Sequence, residues 1–268
     1  LDSKIKIAVL PLDITWCDCK ENLLSVEELL PKLCPDTDIL VLPELFSTGF
    51  IQEETLLKEV AASQADKTLD TLKRWSREFN MAISGSYIAK VGNSVVNRGF
   101  FIEPSGEETF YDKRHLFCLS MESRLFSSGH TLPPVIRFRG WNVSLIVCYD
   151  LRFPAWCRNK EHKGYDIMLV PANWPSARKY AWRQLLIARA IENQAIVVGA
   201  NRSGSDDYGE YTGLSYIFDP AGQDITVSTG PDSPFLYAEY TRSRLEKIRT
   251  VLPFSNDADD VIINLTPE

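Results

Sequence analysis

Among its 268 residues the sequence has three histidines, no excess of positive charge and no long apolar run. His115, His130 and His162 fall in unrelated segments and form no HExxH or HxH pattern, so metal catalysis has no ligand set and no cofactor is expected. The longest apolar stretches, 144–148 and 167–172, fall far short of the roughly 18 to 20 residues that cross a bilayer. Lys plus Arg number 29 against 36 Asp plus Glu, a formal charge of −7, which argues against nucleic acid or an anionic membrane as partner. The run 4–10 reads as a strand with no basic and apolar leader before it, so no secretory signal is visible and a cytoplasmic location is expected. The cysteines stand at 17, 19, 34, 118, 148 and 157. Cys17 and Cys19 are one residue apart, which is not CxxC, and no second pair sits at zinc-ribbon spacing. Free thiols are the expectation.

What is present is ordinary globular composition, 44% apolar and 24% charged, with no repeat, low-complexity block or Gly/Ser linker. A single domain over 1–268 is expected, with 242–268 as a C-terminal arm. Short β-branched runs alternate with segments of helical period, the pattern of a layered α/β chain. Strands are expected at 4–10, 38–42, 81–89, 94–102, 108–111, 141–147, 166–171, 195–200, 214–219 and 236–240. Helices are expected at 22–33, at 67–79 with Asp66 as cap, and in a long segment from a Ser176 cap to Asn193.

Three reactive side chains follow such strands directly: Glu44 after DILVLP, Lys113 after TFYD and Cys148 after SLIV. Strand ends at one sheet edge are where distant segments converge. Each residue has a plain alternative reading: Cys148 as a small buried hydrophobe, Lys113 as a surface charge, Glu44 as a cap or ion-pair partner. Together they make a set, because thiol attack on an acyl carbon needs a base, a nucleophile and a positive charge for the oxyanion.

The strings LPELFSTGF, YDKRHLF and IVCYDLRFP resemble the three signature segments of the nitrilase, or carbon–nitrogen hydrolase, superfamily. They occur in the family order, with 69 residues from Glu44 to Lys113 and 35 from Lys113 to Cys148. MESRLFSSG resembles the segment contributing a second glutamate, Glu122 here, and PANWPSARKYAWRQLLIARAIENQ the strand, substrate loop and helix after the nucleophile. The resemblance extends over nearly the whole chain and implies a four-layer α-β-β-α sandwich. It implies Glu44 as general base, Cys148 as nucleophile through a thioester, and Lys113 with the backbone N–H of Tyr149 as oxyanion donors. Glu122 would orient Lys113 or the substrate amide, its alternative being a structural ion pair. ANWP and CYDLRFP look most like the omega-amidase branch, acting on the terminal amide of 2-oxo acids such as 2-oxoglutaramate or 2-oxosuccinamate. A carboxylated substrate makes Arg178 a candidate clamp, with a surface ion pair as its alternative. Phe117, Asn173 and Trp174 are candidate pocket residues, and Arg152 is expected to brace the loop after the nucleophile. The partners implied are a small amide, water and a second copy of the chain in a homodimer or larger assembly. The runners-up are a nitrilase, an N-carbamoyl amide hydrolase or an aliphatic amidase of the same superfamily and, from another class, a non-catalytic binding protein on this fold.

Overall fold

The structure, a computed structural model, describes residues 2–159 and 164–265. In chain order its elements are β1 (Lys4–Val9), α1 (Cys19–Leu29), β2 (Ile39–Val41), α2 (Glu54–Ser63), α3 (Ala65–Glu78), β3 (Ala82–Val91), β4 (Ser94–Ile102), β5 (Glu108–Asp112), α4 (Glu122–Leu125), β6 (Val135–Phe138) and β7 (Trp141–Leu145). They continue with β8 (Ile167–Ala172), α5 (Lys179–Asn193), β9 (Ile196–Asn201), β10 (Ser203–Asp206), β11 (Gly209–Thr212), β12 (Tyr216–Phe218), β13 (Val227–Ser228), β14 (Leu236–Thr241) and α6 (Arg242–Val251).

Two large sheets form beside the two-stranded β10-β11 hairpin, one ordered β13-β14-β1-β2-β3-β4-β5 and the other β12-β9-β8-β7-β6. Each has three central parallel strands flanked by antiparallel ones. Period-two alternation divides the first sheet's side chains between two cores. Ile5, Ile7, Val9, Val41 and Phe101 face Val143, Leu145 and Leu169 of the second sheet. Ala8, Leu40, Leu42 and Phe100 face the other way, against Val26 of α1 and Leu72 and Trp75 of α3. Trp182, Leu186 and Ala190 of α5 cover the second sheet. The result is the α-β-β-α sandwich, and it explains why β2 and β8 are continuous apolar runs: both faces of a central parallel strand are covered.

The local outcomes differ from expectation where polar chemistry overrides periodicity. Helix α1 begins at Cys19, because the Asp18 carboxylate accepts from Glu21 N at 3.0 Å and so caps it three residues before the apolar stripe. Asp66 is not a cap; it lies in the first turn of α3, which follows α2 after one residue. Ser176 does not cap α5 either: it opens a 3₁₀ turn, Ser176–Arg178, and its hydroxyl bonds Thr212 at 3.2 Å. Helix α2, strands β6 and β13 and the β10–β11 hairpin were not expected; SGSD and GEYT carry too few apolar residues to read as strands. The C-terminal segment starts as a packed helix, with Leu245 buried and Arg249 donating to Asp166 Oδ1 at 2.7 Å, and is exposed from 251 to 262.

This topology places the site. Strands β1, β2 and β3 run parallel, and β5, antiparallel to β4, runs with them, so the ends of β2 and β5 leave the first sheet at the same edge.

Candidate active site

Glu44, three residues past Val41 at the end of β2, is followed by Leu45 at φ 49°, and Cys148 itself has φ 44°. Such angles in residues bearing a side chain cost of order 1–3 kcal/mol and persist where surrounding structure enforces them. Here they turn the chain sharply at two strand exits, so that side chains leave the sheet edge for one cavity. Behind the Cys148 turn, the buried Asp150 carboxylate accepts from Val147 N at 3.1 Å, Tyr111 Oη at 2.8 Å and His115 N at 2.9 Å, with His115 Nδ1 at 2.7 Å. One carboxylate thereby ties the cysteine turn to the strand end that carries Lys113.

Lys113 is 2% exposed and its ammonium lies among carboxylate oxygens: Glu44 Oε1 at 2.8 Å, Glu122 Oε1 at 2.8 Å and Glu122 Oε2 at 2.9 Å. Glu122, wholly buried at the start of α4, also accepts from Phe117 N at 2.7 Å. Glu44 Oε2 accepts from the backbone N of Asn173, at the end of β8, at 2.9 Å. Asn97 of β4, a residue not among the sequence candidates, donates Nδ2 to Glu44 Oε1 at 2.8 Å and to Glu122 Oε1 at 3.2 Å.

The electrostatics follow from burial and these neighbours. Burial alone disfavours the Lys113 ammonium, but Glu122 and Glu44 more than offset it and hold its pKa well above the ordinary lysine value. Burial raises that of Glu122, with Lys113 opposing and Glu44 adding to the rise. Burial pushes the Cys148 thiol well up, the Glu44 carboxylate pushes the same way and Lys113 pulls back. The resting site therefore holds a thiol beside a carboxylate, an arrangement suited to proton transfer at the moment of attack.

All nine sequence candidates, Glu44, Lys113, Phe117, Glu122, Cys148, Tyr149, Asn173, Trp174 and Arg178, line one cavity of about 290 Å³. Phe50, Gln52, Tyr208 and Tyr211 are among the other residues of its walls, the last two from the unexpected hairpin. Arg178 reaches over the Phe117 ring at 5.2 Å and has no carboxylate partner among the described residues, against the surface-pair alternative. Arg152 does more than brace its loop: its guanidinium lies 4.8 Å from the Trp174 ring on the cavity wall. Its place four residues after Cys148, in CYDLRFP, is the signal that the sequence offers, and the structure puts it on a short 3₁₀ turn. A larger cavity, about 900 Å³, lies under the C-terminal tail beside Tyr165, Asn193 and Arg249 and contains none of this chemistry.

Gly129 guards the lysine strand. Its N–H donates to Lys113 O at 2.9 Å, and a β-carbon there would lie 1.9 Å from the carbonyl oxygen of Asp112. Gly129→Ala must displace backbone, so urea unfolding is expected to show a loss of about 1–3 kcal/mol together with reduced turnover.

The carbon–nitrogen hydrolase family model matches residues 6–250. An omega-amidase YafV of Yersinia enterocolitica is 38% identical, covering 97% of this chain and 99% of its own length. A 2-oxoglutaramate amidase of Bacillus subtilis is 32% identical over 95% of this chain and 97% of its own. Among solved structures, XC1258 of Xanthomonas campestris, a CN-hydrolase superfamily protein with an arsenic adduct in its active site, superposes with a TM-score of 0.88. It is 31% identical, covering 98% of this chain and all of that one.

Proposed function

This chain belongs to the carbon–nitrogen hydrolase family, and from that premise we propose that it is an omega-amidase, hydrolysing the terminal amide of a small 2-oxo acid such as 2-oxoglutaramate or 2-oxosuccinamate. The observation that carries this reading is the cavity's two-ended chemistry. Cys148, Glu44 and Lys113 lie together in it, and Arg152 and Arg178 stand on its wall as cations for a carboxylate at the substrate's far end. The relatives named omega-amidase and 2-oxoglutaramate amidase support the same substrate class.

In this mechanism Glu44 takes the thiol proton as Cys148 Sγ attacks the amide carbon. The oxyanion is met by the Lys113 ammonium and by the N–H of Tyr149, which lies in the first turn of a 3₁₀ segment where backbone donors lack helical partners. Collapse breaks the C–N bond, Glu44 returns the proton to the departing nitrogen, and ammonia leaves behind a thioester. Water, deprotonated by Glu44, attacks the thioester carbon and releases the acid and the thiol. Glu122 holds the Lys113 ammonium in place, Phe117 and Trp174 shape the acyl pocket, and Asn173 fixes Glu44 through its backbone N–H. Apolar side chains exposed on the C-terminal segment, Val251, Leu252 and Ile262, favour a homodimer, and a working free thiol favours a reducing cytoplasm.

The test compares ammonia release from 2-oxoglutaramate, a neutral amide of equal chain length, a nitrile and an N-carbamoyl amino acid. The expected preference is for 2-oxoglutaramate, and Arg152→Met is expected to raise its KM about 10- to 100-fold while leaving the neutral amide nearly unaffected. Equal use of the neutral amide would overturn the substrate assignment. Ammonia from none of them, with no acyl adduct on Cys148 by mass spectrometry, would overturn the hydrolase itself.

A further inference from the structure

Asn97 lies in the middle of β4, an otherwise largely apolar strand, and is wholly buried. Its backbone carbonyl accepts from Lys113 N at 2.9 Å, while its side-chain nitrogen reaches Glu44 Oε1 and Glu122 Oε1 at 2.8 and 3.2 Å. Lys113 Nζ reaches the same two oxygens at 2.8 Å each. Two nitrogens and two carboxylate oxygens thus close a four-cornered ring, with the like-charged oxygens at opposite corners and a donor on either side.

The chemistry of this ring fits an amide and few other side chains. A carboxamide NH₂ carries two diverging hydrogens, so it bridges two acids without adding a charge. The reverse orientation would set Oδ1 against both carboxylates, so the orientation of the group is decided by its neighbours. In the orientation found, Oδ1 has no hydrogen-bond partner among the described residues. A buried polar atom left unpaired is a cost to folding, so the gain from this side chain lies in what its NH₂ does for the acids.

The ring also distinguishes the two oxygens of Glu44. Oε1 accepts from both Lys113 and Asn97, whereas Oε2 accepts from the backbone N of Asn173. We propose that Asn97 is a positioning residue for the thiol-dependent reaction: its NH₂ locks Glu44 Oε1 into the ring, so that Oε2 is the oxygen that takes the Cys148 proton, and it aligns Glu122 on Lys113. This deepens the proposed function and rests on the assignment of Glu44 as base.

The test uses Asn97→Leu and Asn97→Asp in the full-length protein. Asn97→Leu removes the donor that reaches Glu44 Oε1 and Glu122 Oε1. It is expected to lower kcat about 10- to 100-fold with KM changed by less than about threefold, the pattern of a group acting on the chemical step. Asn97→Asp keeps the size but turns a third carboxyl toward two carboxylates served by one ammonium. Its activity is expected to fall below that of Asn97→Leu at neutral pH and to recover toward acid pH, where the introduced carboxyl is protonated and can donate again. A packing role alone does not produce that shift in the pH profile. Unchanged kcat in Asn97→Leu, a loss matched by an equal fall in the folded fraction, or identical pH profiles for the two variants would overturn the proposal. Alkylation of Cys148 by iodoacetamide, followed on its peptide by mass spectrometry, needs no substrate and is expected to slow in Asn97→Leu. An unchanged alkylation rate sinks the positioning role even if the amide specificity holds; a slowed rate with no amide hydrolysed by the unmodified protein sinks the amidase reading alone.

Discussion

Cys148→Ala is expected to abolish ammonia release and acyl-adduct formation while leaving the fold intact. The side chain it removes is small, and its burial is that of a cavity floor, 8% exposed. Cys118, exposed near the cavity mouth with its Sγ 4.0 Å from Tyr149 Oη, has no comparable set of neighbours, so Cys118→Ala is expected to retain turnover. Cys148→Ser restores a hydroxyl but not the sulfur's nucleophilicity and is expected to lose at least about 10³-fold, since the base and oxyanion donors are arranged for a thiol. The protonation state sharpens the expectation. Burial and Glu44 place the Cys148 pKa above that of an ordinary thiol, so little standing thiolate exists at neutral pH and the proton must move during attack. Substrate-free alkylation of Cys148 is accordingly expected to keep rising with pH beyond the point at which a free thiol, with a pKa of about 8.5, has levelled off. A plateau at or below that pH would show a preformed thiolate and contradict the general-base mechanism.

Lys113→Met is expected to damage both activity and stability, because one ammonium serves two buried carboxylates. Its removal leaves Glu44 and Glu122, 1% and 0% exposed, facing each other with only Asn97 between them. Breaking a buried pair by deleting one partner costs about 3–5 kcal/mol, which urea unfolding would read directly. Loss of an oxyanion donor separately removes about 10²–10³ in kcat. The two effects separate in Lys113→Met combined with Glu122→Gln: removing one uncompensated charge is expected to restore part of the stability and none of the turnover. Lys113→Arg is not expected to substitute, since the guanidinium needs a planar fork of space that a 2% exposed ammonium site lacks. Stability also carries a pH signature. Lys113 binds its proton more tightly folded than unfolded, so its contribution is complete below the ordinary lysine value and is lost as pH rises through the raised one. Unfolding midpoints of Lys113→Met that fall with alkaline pH as steeply as those of the unmodified protein would contradict this.

How much of the site could be read from the sequence depends on where each residue sits along its strand. Glu44 and Cys148 come at the end of apolar runs and Lys113 at the end of the strand-like TFYD, so their strand-end positions are visible as boundaries in one dimension. Asn97 lies inside a strand, in VVN, and reads as an interruption of the apolar pattern; its meaning comes from Glu44, 53 positions away, and Glu122, 25 away. Arg152 could be located on its turn but not aimed, since the same four-residue offset from Cys148 serves a loop brace or a cavity wall. Tyr208 and Tyr211 enter through a hairpin whose strands are polar because they lie outside both sheets.

By itself the sequence showed no apolar run long enough for a helical bilayer span and no HExxH or HxH pattern, and it determined the alternation of apolar runs with helical stripes and the three strand ends bearing base, cation and thiol. Those are local properties, set by composition and by the periods of strand and helix. Tertiary structure alone decided that the three meet. Parallel β1, β2 and β3 and the returning β5 bring Glu44 and Lys113 to one edge, and the packing of the second sheet against the first brings Cys148 to them. It also decided that one ammonium and one amide share two carboxylates, because such a ring is a matter of distances between strands, which no local pattern carries.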